Sequence, residues 1–262
     1  MGKVLIVSKA DRLSEYKKIS DKYNLGFEIN DFFIPDILDD DVKIEQIIAS
    51  YKKEGLPEYC TLHGAFFDVV PFSSDAKIKE ISVKRMEQSL DIAKKLGVEG
   101  VIFHTNYMPY LESGFYDDQV VNGMTSCIKE LLQKYDNISI YLENMFDSDP
   151  HILKRIANNL RYVDNFGICL DYAHASISPT PVSDWVCELA PFIKHLHIND
   201  NDLVKDLHHP VGSGKIDWDA FKKYYDEKLY NCSVLIETTE PANQEKSVEY
   251  MKNKLNWDFG RI

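Results

Sequence analysis

Apolar residues along the chain gather in eight short runs: Val4–Val7, Gly26–Ile29, Cys60–His63, Val101–His104, Ile138–Glu143, Phe166–Asp171, Ile193–Ile198 and Ser233–Glu237. Several are apolar almost throughout, the pattern of strands covered on both faces. Between them lie stretches with helical spacing, near 11–23, 40–53, 75–96, 116–135, 149–160, 182–190, 217–229 and 243–256. The clearest begins at Asp75 and aligns Ile78, Ile81, Met86, Leu90, Ile92, Ala93 and Leu96 on one face. Asp75 is a ready N-cap and Gly97 a stop.

Eight strands alternating with eight helices give about 33 residues per unit, the repeat length of a (β/α)8 barrel. The predicted fold is therefore α/β, a single-domain (β/α)8 TIM barrel spanning 1–262. A doubly wound open sheet would carry a glycine-rich phosphate turn after its first strand, and the segment VLIVSKADRL has none.

Composition narrows the function classes. With 44% hydrophobic residues the chain can build a core, which separates it from disordered segments. Its formal charge of −12 disfavours a nucleic-acid backbone as partner, although a local basic strip is compatible with an acidic total. No apolar run reaches the ~18 residues of a membrane span. The opening MGKVLIVSKADR has only four consecutive apolar residues, which argues against a secretory leader. Five cysteines without a CxxC pair fit a reduced, cytoplasmic protein. Nothing in the composition opposes a homo-oligomer.

The chemistry concentrates where strands end, the rim that carries function in such barrels. Glu28, His63, His104, Glu143, Asp171, His197 and Glu237 end seven of the eight strands or lie within a residue of the end. Asp171-Tyr-Ala-His174 sets a carboxylate and an imidazole three residues apart, and Asp206-Leu-His208 offers another such pair. His195 and His197 share one strand face, since alternate residues do, and the pattern alone does not separate them. Mixed imidazole and carboxylate donors suit zinc, manganese or iron better than calcium.

At these residues the chain resembles the xylose-isomerase-like TIM barrel superfamily, which holds sugar isomerases and epimerases beside endonuclease IV. The resemblance runs from about Leu62 to Glu237 and is carried by LHGAF, VIFH, YLEN, CLDYAH and HLHINDNDLVKDLHHPVGSGKIDW, the last two being the most specific. It implies one divalent metal on Glu143, Asp171, His197 and Glu237, with Glu143 and Glu237 as the acid/base pair and His174 touching substrate. The endonuclease IV pattern implies up to three zinc ions, adding His63 and His104 around Glu143, and His174, Asp206 and His208 as a third set. Two departures matter. Tagatose-type epimerases carry an arginine where Leu203 stands, and the basic, aromatic insertion needed to grip an abasic duplex is missing.

The loops point to a small polar partner. Tyr107, Tyr110, Phe115 and Tyr116 follow strand 4 among acidic residues, and Phe66 and Phe67 follow His63; such rings offer flat faces to a sugar or pack the loops. Gly212-Ser-Gly214-Lys215 reads as a tight turn before a helix capped by Asp217, with a phosphate-binding loop as the other reading, and Trp218 reads as a packing residue. Lys9, Arg12, Lys17 and Lys18 read as a solvated face. The leading expectation is a metal-dependent sugar isomerase or epimerase acting on a sugar or sugar phosphate. The alternative is an endonuclease IV-like hydrolase with a three-zinc site.

Overall fold

The computed structural model describes residues 2–111 and 113–259. The predicted domain limits, 1 and 262, therefore lie outside the described residues. Eight parallel strands close in sequence order: β1 (Val4–Ser8), β2 (Gly26–Ile29), β3 (Cys60–His63), β4 (Gly100–His104), β5 (Ser139–Glu143), β6 (Phe166–Asp171), β7 (Ile193–Ile198) and β8 (Ser233–Ile236). Helices α1 (Leu13–Tyr23), α3 (Asp41–Glu54), α4 (Ala76–Leu96), α5 (Gly114–Lys134), α6 (His151–Asn159), α8 (Val182–Leu189), α9 (Trp218–Tyr224) and α10 (Pro241–Lys254) match the eight expected from periodicity. The chain is a (β/α)8 barrel.

Two short helices were not expected: α2 (Pro35–Leu38) and α7 (Tyr172–Ile177). Both are too short to show a 3.6-residue period. The capping expectations hold at α4, where Asp75 accepts from the Lys77 and Ile78 amides and Gly97 adopts φ 71°. The helix starting at Trp218 ends in a π turn, Tyr225–Leu229.

Alternation along the strands sorts the core into two regions. Ile6, Phe27, Leu62, Val101, Ile140, Ile168, Leu196 and Val234 face outward, and join the main apolar cluster beneath the helices. Inside the barrel the apolar content is small: Leu5, Val7 and Leu235 on one side, and Ile102, Tyr141 and Cys169 on the other. Polar groups fill much of the remainder, including Glu28, Thr61, His63, His104, Glu143, His195 and His197, all buried. Register places them together, since His104 pairs with Glu143, Asp171 with His197, and His195 with Ser233.

Candidate metal centre

The donors at the strand ends are positioned by backbone geometry. Asp171 closes β6 and caps α7, its Oδ1 accepting from the His174 amide at 2.6 Å. That cap turns the chain so that His174 lies beside Asp171, Nδ1 to Oδ2 being 3.6 Å. Asn144 buckles β5 to β6: its Oδ1 accepts from the Asp171 amide at 2.8 Å and its Nδ2 donates to the Asp171 carbonyl at 3.0 Å.

Glu143 lies at the centre. Its Oε2 is 3.3 Å from both His104 Nε2 and His197 Nδ1, and its Oε1 is 3.7 Å from His174 Nδ1. His197 Nδ1 also lies 3.6 Å from Glu237 Oε1. Two donor triads share this glutamate: Glu143 with Asp171 and His197, and Glu143 with His63 and His104, each with its ligand atoms within 4.8 Å of one another. The third expected set is looser and meets through Asp206, whose Oδ2 is 3.4 Å from His174 Nε2 and 2.9 Å from His208 Nε2. All nine residues predicted as ligands thus converge on one mouth of the barrel.

The tautomers favour coordination. Nδ1 of His63, His174 and His208 lies 3.1, 2.9 and 2.9 Å from the carbonyls of Gly64, Asn144 and Glu237 respectively. A carbonyl can only accept, so each ring carries a proton on Nδ1 and turns Nε2 towards the other donors, where the Asp206 carboxylate meets those of His174 and His208. By contrast, both oxygens of Glu143, Asp171 Oδ2, and both ring nitrogens of His197 are buried without a hydrogen-bond partner. Orphaned polar atoms of this kind are costly. Burial pushes the Asp171 carboxyl up and raises Glu237 to about 8, whereas it holds the His63 imidazolium down to about 4. Crowded buried carboxylates, converging and short of partners, are a donor set that a divalent cation fits.

A cavity of about 200 Å³ opens over the ring, lined in part by Lys9, Asn30, Phe33, Phe66, Met145 and Thr239. Lys9 therefore departs from the solvated face expected of it, whereas Arg12 and Lys17 pair with Glu240 and Asp21 on the surface and Lys18 is exposed. The aromatic residues divide. Phe66 lies edge-on to His104 with ring centroids 4.6 Å apart, inside the site. Tyr107 stacks on Tyr116 at 5.6 Å and donates to Asp117, so these two pack the loop. Phe67 stacks with Phe146 at the rim, whereas Tyr110 and Phe115 are exposed.

The Gly212–Lys215 segment is a turn and not a phosphate cradle. Gly212 adopts φ 82°, and its amide donates to Asp200 Oδ2 at 2.9 Å, so a carboxylate already holds the place an anion would take. Trp218 packs against Tyr172 and Phe221, and Asp217 caps the helix that follows, as expected. Sequence reasoning missed Asn144, Asn30 and Thr239; the Asn after Glu143 was the one visible signal. Glu28, counted among the strand ends, joins neither donor triad and instead faces His195 and His197.

Fold and site together define a (β/α)8 barrel whose C-terminal mouth carries a buried imidazole–carboxylate centre. The chain belongs to the family described as xylose isomerase-like TIM barrel, whose sequence pattern matches residues 23–254. Its relatives include a probable endonuclease 4 of Mycobacterium leprae, 25% identical over 215 residues, or 78% of this chain and 81% of that protein. Among solved structures, a D-tagatose 3-epimerase-like protein superimposes with a TM-score of 0.77 at 23% identity, covering 97% of each chain. The TTHB071 protein of Thermus thermophilus, from a crystal soaked with ZnCl2, gives 0.76 at 22% identity, covering 99% of each. A probable endonuclease and an epimerase-like protein thus both resemble this chain.

Proposed function

We propose that the protein is a divalent-metal-dependent sugar isomerase or epimerase. The observation that carries this reading is the placement of Glu143 and Glu237, 3.3 and 3.6 Å from the same His197 nitrogen, beneath a cavity of about 200 Å³. At ~30 Å³ per water that is the room of roughly seven waters, suited to one small polyhydroxylated molecule.

Glu143, Asp171, His197 and Glu237 would hold the ion, which supplies Lewis-acid stabilisation of negative charge developing on adjacent substrate oxygens. One glutamate takes the proton from the carbon next to the carbonyl and the other returns one, a division of work that needs two carboxylates at separate points around the substrate. Asn199 donates to Glu237 Oε2 at 3.3 Å and holds that carboxylate in place. His174, held by Asn144, faces the cavity as a substrate contact, and Phe66 supplies an apolar wall that excludes water. Lys9 offers a cation to a hydroxyl or a phosphate. Five free cysteines, four of them buried, agree with a reducing compartment, and we assign the protein to the cytoplasm as one domain over 1–262.

A second reading, phosphodiester hydrolysis at an abasic site with up to three zinc ions, is favoured by one specific feature: the additional triad of His63, His104 and Glu143. One experiment separates the two. Mn2+-loaded protein is incubated in deuterated water with aldoses, ketoses and their phosphates, and in parallel Zn2+-loaded protein with an abasic duplex. Deuterium entering one sugar carbon, lost in Glu143→Gln and Glu237→Gln, supports the proposal. Strand cleavage without sugar exchange would replace it with the second reading.

A further inference from the structure

Below the donor ring the barrel interior holds a second polar layer that the chemistry above does not use. Glu28 of β2 is wholly buried, and its Oε2 accepts from Thr61 Oγ1 at 2.8 Å and lies 3.2 Å from His195 Nε2. His195 is fixed at its other end, with Nδ1 2.6 Å from Ser233 Oγ. The remaining oxygen, Glu28 Oε1, lies 3.2 Å from His197 Nε2. These last two atoms are buried and neither has an in-line hydrogen bond, although each faces the other. The opposite nitrogen of the same ring, Nδ1, faces Glu143 and Glu237.

We propose that Glu28 is a positioning residue for the metal ligand His197, holding the ring proton on Nε2 so that the Nδ1 lone pair points between Glu143 and Glu237. The inference rests on the metal-centre reading above. A neutral imidazole has one N–H and one lone pair, and whatever accepts from the first aims the second. The three histidines at this mouth whose Nδ1 meets a backbone carbonyl all present Nε2. His197 is reversed, and the group on its protonated side is a carboxylate. Thr61 and His195 hold that carboxylate from its other oxygen, so it cannot turn away. A small rotation of the His197 ring, as Nδ1 takes a ligand, would bring the 3.2 Å approach into line. This also accounts for a strand-end glutamate that contributes to neither donor triad.

The test uses Zn2+ alone, with no substrate. Long-range proton–nitrogen correlation spectra of isotope-labelled, Zn2+-loaded wild type report which His197 nitrogen carries the proton. Chelator competition reports Zn2+ affinity for wild type and for Glu28→Gln, with circular dichroism of the metal-free proteins as the folding check. The expected result is a proton on Nε2 and a ~10–100-fold weaker Zn2+ affinity in the folded variant, the range typical of lost outer partners. A proton on Nδ1 overturns the proposal, as does a folded variant binding within twofold of wild type. If Glu28→Gln does not fold, the wild-type spectra decide alone. A wild type that takes up no Zn2+ overturns the metal-centre reading itself, and this inference with it, which distinguishes that failure from a loaded wild type and an unaffected variant.

Discussion

Asp200, at the base of the long loop after β7, offers a sharp test of how the site is held. Its carboxylate is fully buried. Oδ1 accepts from the amides of Asn201 at 2.9 Å and Ile216 at 3.2 Å, and Oδ2 from the Gly212 amide at 2.9 Å and Trp218 Nε1 at 2.8 Å. Its backbone exchanges two 2.9 Å bonds with His209. The loop closed in this way carries Asp206 and His208, the latter with a left-handed backbone at φ 47°. Asp200→Asn keeps the shape but replaces one acceptor oxygen with an NH2 group. Whichever way the amide turns, two buried donors face it without an acceptor. At ~1–2 kcal/mol for each orphaned donor, the loss is about 3 kcal/mol. For a chain of this length that lowers Tm by about 6–12 °C. Urea unfolding followed by tryptophan fluorescence measures it directly, with Trp218 among the reporters. A loss below about 1 kcal/mol would show that the loop does not depend on this carboxylate, and the reasoning would be wrong.

Buried charge and bound metal each carry a further prediction. Asp147 is buried with Oδ2 2.6 Å from Thr105 Oγ1, and burial raises its carboxyl from 3.8 to about 6. Because the folded value lies above the unfolded one, the unfolded chain releases this proton first, and stability drains away as pH rises from about 4 to about 6. Asp147→Asn should therefore gain on wild type by about 2 kcal/mol between pH 4 and pH 7 in paired urea melts; a constant difference would refute the assignment. Removing metal should lower stability without unfolding the barrel. With Zn2+ or Mn2+ at ~100 times its Kd, chelation should cost about 2.7 kcal/mol, seen as a falling Tm with unchanged far-ultraviolet circular dichroism. An unaltered Tm would count against a resident ion.

Much of the site was readable because a strand's period of two and a barrel's single active rim leave few choices. Glu143, Asp171 and His197 sit at the ends of runs that are mostly apolar, so polarity at those points had no packing explanation. Depth was readable only as order along the strand, which puts His197 nearer the end than His195. His195 and His197 share a strand face, and only the pairing of His195 with Ser233 shows that it lies a layer beneath the mouth. Nor could Glu28 be told from a ligand, since its role depends on β2 lying across the closed barrel from β7. The aromatic loop after β4 was ambiguous for another reason. Tyr107 and Tyr116 are nine residues apart in sequence, and whether they stack on each other or offer a face to substrate depends on how the chain between them turns. Asp200 was invisible because its partners, Gly212, Ile216 and Trp218, are 12 to 18 residues downstream.

Glu143 belongs to two of the compact donor triads, the third being Cys169, His195 and His197, so ions held at those two would share it. A first ion that recruits this carboxylate withdraws electron density from the oxygen a second would use, and two neighbouring dications repel. Were both triads to take an ion, binding would be anticooperative, with a tight first event and a weaker second. The metal content of the protein would then follow the free-ion level around it.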